Sequence, residues 1–148
     1  MRLHHFALRV HGGRLDDAVA VMRECGLRDV FPTGSISAIC FSGPDACGVQ
    51  LIEVDRMGYD LRSPVLLGPS GPLGPSGPTG APAVLHKERG HVAFLHPDAQ
   101  AAAAGLADRL RELGLEVVEG KWSETELWLD LPAVFVDSTI EILSLPSD

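Results

Sequence analysis

The chain of 148 residues contains an imperfect internal repeat, and that repeat leaves few folds open. Near the start stands His5-Phe6-Ala7-Leu8-Arg9-Val10; in the second half stands His91-Val92-Ala93-Phe94-Leu95-His96. Each is a short β-prone run with few turn residues. A helical pattern follows both. In the first half Leu15, Ala18, Val19 and Met22 recur at helical spacing and Gly26 supplies a stop. In the second, Asp98 is placed to cap the start, Ala103, Leu106, Leu110 and Leu113 form the stripe, and Gly114 is the stop. Strand-like runs fill the rest: 28–31, 36–41 and 49–54, then 115–118, 126–131, 134–136 and 139–145. Each half therefore reads β-α-β-β-β. Two copies are too few for a solenoid, and the slightly drifting offset between them marks a duplicated unit with small loop changes.

The halves are separated by Gly68 to Pro82, where Gly68, Gly71, Gly74, Gly77 and Gly80 recur every third residue. That run is too short for a collagen triple helix and reads as an extended Gly/Pro linker. The expected organisation is a first module over 1–67, the linker over 68–82 and a second module over 83–148, together forming one α+β domain. A four-stranded sheet with one helix leaves its other face bare. Two such units bury that face together, and the cleft between them is a natural ligand site.

Composition excludes several roles. A net charge of −8, from 12 Lys and Arg against 20 Asp and Glu, opposes nonspecific nucleic-acid binding. No apolar run approaches the length of a membrane span. The opening residues lack a secretory h-region, so the expectation is a cytoplasmic protein acting on a small molecule. Cys25, Cys40 and Cys47 are odd in number and contain no Cys-x-x-Cys pair, which points to reduced thiols instead of a disulfide frame or thiolate zinc site.

Strand alternation then selects candidate site residues. His5, Ala7 and Arg9 share one face of the first strand, while Phe6, Leu8 and Val10 share the other, expected under the helix. His91, Ala93 and Leu95 occupy the matching face in the second half. Aligning the polar residue inside the last apolar run of each half pairs Gln50 with Glu141. Glu53 is the rival to Gln50, but it points to the opposite face unless a bulge shifts the register. His4 falls on the wrong face, as a surface or packing residue, and His86 and His96 fall outside the set. Two imidazoles, an amide oxygen and a carboxylate suit a divalent ion such as Zn, Ni, Co, Mn or Fe.

This pattern resembles the vicinal oxygen chelate superfamily, which includes glyoxalase I, methylmalonyl-CoA epimerase, extradiol dioxygenases and drug-resistance proteins. The resemblance covers nearly the whole chain outside the linker. It implies a glyoxalase-like fold, a U-shaped mixed sheet around a metal, and a homodimer, at times with exchanged modules. The opening resembles that of bacterial glyoxalase I, where the metal-binding His precedes an x-x-L-R-V run, here His5, Leu8, Arg9 and Val10. By that resemblance Arg9 is a substrate contact. Gly90-His91-Val92-Ala93-Phe94 resembles the second His strand, and Asp137 to Leu143 a shortened form of the segment that ends in the metal-binding Glu, here Glu141. Gln50 departs from bacterial glyoxalase I, which has Glu there, and is similar to the epimerase ligand set.

The leading expectation is a divalent-metal-dependent isomerase or lyase that stabilises an enediolate next to a carbonyl, with Glu141 as both ligand and catalytic base. Two alternatives use the same chain differently. In an Fe(II) extradiol-type dioxygenase, His5, His91 and Glu141 form the ligand triad; such enzymes usually want a further cleft His or Tyr, and the sole tyrosine is Tyr59, near the linker. In a metal-free resistance-type binder, Trp122 and Trp128 stack on a flat ligand.

Overall fold

The computed structural model describes residues 3–54, 67–68, 71–72 and 90–144. Apart from the short pair β5 (Leu67–Gly68) and β6 (Gly71–Pro72), the Gly/Pro linker lies outside the described residues, as do Tyr59 and His86. The described elements form two β-α-β-β-β units. In the first, β1 (His5–His11), α1 (Leu15–Glu24), β2 (Asp29–Gly34), β3 (Ser37–Phe41) and β4 (Gly48–Val54) give a sheet of order β1-β4-β3-β2. In the second, β7 (Gly90–Leu95), α2 (Ala99–Glu112), β8 (Val118–Lys121), β9 (Glu126–Asp130) and β10 (Ser138–Leu143) give order β7-β10-β9-β8. Both sheets are mixed: the first and last strands of each unit pair in parallel, and the hairpins are antiparallel.

Both helices end in the same way. In α1, Gly26 N–H donates to Arg23 O and Leu27 N–H to Met22 O; in α2, Gly114 N–H donates to Arg111 O and Leu115 N–H to Leu110 O. Each glycine takes positive φ, 94° and 79°, which an L side chain resists. Leu27 and Leu115 are buried beside the last helical turn, which is the apolar contact that accompanies this stop. Leu115 is therefore committed to ending α2, and β8 begins three residues later than the start of the expected 115–118 run. Leu113, expected in the apolar stripe, is 52% exposed; Ala99 and Ala107 lie in the core with Ala103, Leu106 and Leu110.

The helix starts differ. Asp98 caps α2, its side chain accepting from Ala101 N–H at 2.9 Å. The N-cap of α1 is Arg14, whose side chain makes no cap bond. Its place is taken from the sheet, since Glu53 Oε1 accepts the Leu15 N–H at 2.9 Å. A carboxylate there also complements the positive helix end. Replacing Glu53 with alanine is expected to cost about 1–2 kcal/mol of stability and to leave metal content unchanged. Chemical denaturation beside elemental analysis checks both halves of that expectation.

Helix α1 packs against β1, β3 and β4, and α2 against β9 and β10. The first core holds Leu8, Val10, Cys40, Val49 and Leu51 under Ala18, Val21 and Met22; the second holds Val92, Leu129, Ile140 and Ile142. Among the described residues no cysteine forms a disulfide. Cys40 is buried, and that burial pushes its thiol up from the ordinary range against the opposing charge of Arg23. Cys47 is exposed and Cys25 half-buried. No described helix is long and apolar enough to cross a membrane.

The chain divides into two compact units, Met1–Tyr59 with Ala133–Val136, and Asp60–Pro132 with Asp137–Asp148. The run 134–136, expected as a strand of its own module, pairs with β1 instead. Phe135 bridges Val10, His11 N–H donates to Val134 O, and Val136 N–H donates to Arg9 O. β1 is an edge strand of its sheet, so its outer backbone groups can take such a partner.

Candidate metal centre

The β1/β4 register runs His5↔Gly48, Ala7↔Gln50 and Arg9↔Ile52. His5, Arg9 and Gln50 thus stand on one face, opposite the face that packs on α1. The row through Gln50 reads Ala7↔Gln50↔Ile39↔Phe31. In the second unit the corresponding row reads Ala93↔Glu141↔Trp128↔Gly120. Each histidine stands two residues before its row's alanine. His5 and Gln50, and His91 and Glu141, therefore hold equivalent positions in the two sheets. Glu53 pairs with Val10 on the other face and is occupied by α1.

In the second unit the two candidates meet. His91 Nε2 lies 3.3 Å from Glu141 Oε2, with the His91 side chain 33% exposed and the Glu141 side chain 5% exposed. Trp128 lies across Gly120, where a Cβ would fall 2.1 Å from its ring, and is itself buried. Trp122 is half-buried, edge-on to His91 at 6.0 Å and 6.3 Å from Trp128. On the same face Thr139, the register partner of His91, is buried, and its hydroxyl has no hydrogen-bond partner among the described residues.

In the first unit His5 and Gln50 share a face. His5 Nδ1 lies 2.9 Å from His4 Nδ1. His4, expected on the other face as a surface or packing residue, is exposed and packs its ring edge-on to Phe41 at 5.4 Å. It precedes β1, so strand alternation does not govern its direction. Thr139 carried a readable signal, standing two residues before Glu141 on the same strand face, but a threonine is not a conspicuous ligand. Trp128, expected to stack on substrate, is buried, and Trp122 is half-buried.

The residues present fit a divalent ion in part. Glu141 is a buried carboxylate beside an imidazole, and a buried charge needs compensation. Two N/O donors each about 2.1 Å from an ion stand about 3.0–3.4 Å apart for tetrahedral or octahedral angles, and the His91–Glu141 separation of 3.3 Å matches. Among the described residues no group of three or more His, Cys, Asp and Glu side chains is already assembled for an ion.

The paired β-α-β-β-β units, each with first and last strands parallel at the sheet's edge, define a two-module glyoxalase-like fold. No protein-family model and no curated protein matches the chain. Solved structures do. The chain is similar to a possible glyoxalase from Bacillus cereus, at 17% identity over 97% of this chain and 98% of that one, with a TM-score of 0.54. It is similar to a lactoylglutathione lyase from Agrobacterium tumefaciens at 15% identity, covering 97% and 92% of the two chains, TM-score 0.50. It is also similar to the oxidase ChaP-H1 at 17% identity, covering 99% and 97%, TM-score 0.50. These likenesses are likenesses of fold, and the fold hosts both lyase and oxidase members.

Proposed function

We propose that this chain is a divalent-metal-dependent isomerase or lyase that moves a proton on a carbon next to a carbonyl, working as a homodimer. The observation that carries the reading is the buried Glu141 carboxylate set 3.3 Å from His91 Nε2. His5 and Gln50, at the equivalent register positions of the first sheet, would complete the ligand set. The lactoylglutathione lyase of the same fold supports the reaction class.

When bound, the ion supplies Lewis acidity toward the substrate's oxygens. Glu141 takes the proton from the carbon, and the freed electron pair moves onto the carbonyl oxygen. Glu141 then returns the proton to the same carbon on the other face or to its neighbour. The buried setting of its carboxylate, with Trp128 on the next strand, limits the access of water. His91 would orient the carboxylate, and Arg9, on the His5 face, would hold an anionic group of the substrate.

Elemental analysis of native protein, beside His5→Ala and Glu141→Ala, tests the reading. The expected result is near-stoichiometric metal in the native chain and loss in both variants, with turnover of a hemithioacetal or an acyl-CoA epimer. No metal after reconstitution would overturn it in favour of a metal-free binding protein. The likeness to the oxidase supports a second reading, an Fe(II) oxygenase on the same His5, His91 and Glu141; oxygen uptake with a catechol would select it.

A further inference from the structure

The first unit contains a pocket of about 270 Å³ that the metal reading does not use. Its walls include His4, Asp29, Phe31, Phe41, Pro44 and Ala46. The pocket is built by a missing side chain. At Gly48 a Cβ would fall 2.5 Å from Phe41 Cε1 and 2.9 Å from Ile39 Cγ2, so only glycine lets the Phe41 ring lie across β4. Phe41 in turn stands edge-on to His4 at 5.4 Å and to Phe31 at 5.9 Å, with interplanar angles of 76° and 70°. Three rings at steep angles make an aromatic corner. Phe31 is 57% exposed, an apolar ring held at the surface beside this opening. Asp29 is the register partner of Phe41 and puts a carboxylate at the same corner.

The chemistry of these walls selects a ligand. Ring faces carry the negative part of an aromatic quadrupole and attract cations. Asp29 adds a negative charge, no lysine or arginine lines the pocket among the described residues, and the chain as a whole carries −8. A dry cavity of about 150 Å³ is large enough to take benzene, so this volume admits one ring with a short charged arm. We infer that the pocket is a binding site for a small organic cation carrying a single aromatic ring, its ring against Phe31 and Phe41 and its ammonium at Asp29. The inference is independent of metal, of turnover and of the reading of His91 and Glu141.

The test uses the full chain and benzylamine, with benzoate and benzyl alcohol as charge controls of the same shape. Aromatic side-chain NMR should show saturable benzylamine shifts at Phe31, Phe41 and His4, with binding at least about tenfold tighter than for benzoate. A tenfold change is about 1.4 kcal/mol, within the span of one cation–π contact plus one ion pair. Asp29→Asn should remove the preference for the amine over the alcohol, and Phe31→Ala should weaken the amine about tenfold. Both residues are exposed, so both variants should keep the native far-UV circular dichroism. Three results would each overturn the assignment: no saturable shift at these rings, benzoate binding as well as benzylamine, or amine binding unchanged in both variants. Metal content plays no part in any of these readouts, so failure of the metal reading and failure of this one are separately visible.

Discussion

Glu141→Gln is expected to lower turnover by about 10²–10⁴-fold, the range of a lost general base, while metal content falls much less. The carboxylate is nearly isosteric with the amide, and the amide keeps one oxygen donor, so the ligand position survives while the proton acceptor does not. The side chain is buried against His91 Nε2, and an amide nitrogen placed there would meet the imidazole as a donor, which the neutral ring can accept. Folding should therefore survive. Rate measurements beside elemental analysis of the same preparation separate the two effects. Turnover within a few-fold of the native chain would remove Glu141 from the proton path, and the base would have to be sought on another strand.

Gly120→Ala is expected to be the most damaging small substitution in the second sheet. The added methyl would sit 2.1 Å from Trp128 Cζ2 and 2.5 Å from Cε2, and an indole cannot bend aside as a flexible side-chain tip can. Trp128 is 5% exposed, so displacing it means opening a packed face. The cost of such overpacking is about 1–3 kcal/mol or more. Because Glu141 is the register partner of Trp128, the same substitution should disturb the candidate ligand. The expected readouts are a lowered midpoint in chemical denaturation, a shifted Trp emission and weaker metal retention. Gly105→Ala is the control: it lies inside α2, its nearest neighbour is the Arg109 guanidinium at 3.4 Å, and it should raise stability by about 0.5–1 kcal/mol. Equal midpoints for both variants would show that the Trp128 placement over Gly120 does not contribute.

The strand faces of the candidate residues were legible because strands keep their period. His5 and Gln50 sit on one face, and His91 and Glu141 on the matching one, since each lies inside an uninterrupted run where alternation holds. Repetition strengthened this, as one half's pattern checked the other's. The ring contact of His4 was not legible, because His4 lies just outside β1, where the period gives no direction. The aromatic corner was not legible either. Phe31 and Phe41 come from different strands, and the room the Phe41 ring takes is left by the missing Cβ at Gly48 on a third.

The sequence alone determined the elements, their order in each module and the helix ends, because these rest on local chemistry: apolar period, an Asp cap, a glycine at positive φ. Tertiary structure decided whatever depended on unpaired groups finding partners far along the chain. Glu53 went to the start of α1 because four backbone N–H groups there needed acceptors and Arg14 supplied none. Residues 134–136 satisfy their backbone groups on the edge of β1, a strand far away in the sequence. Local pattern cannot record such choices, since it specifies what a segment needs but not which distant segment will meet that need.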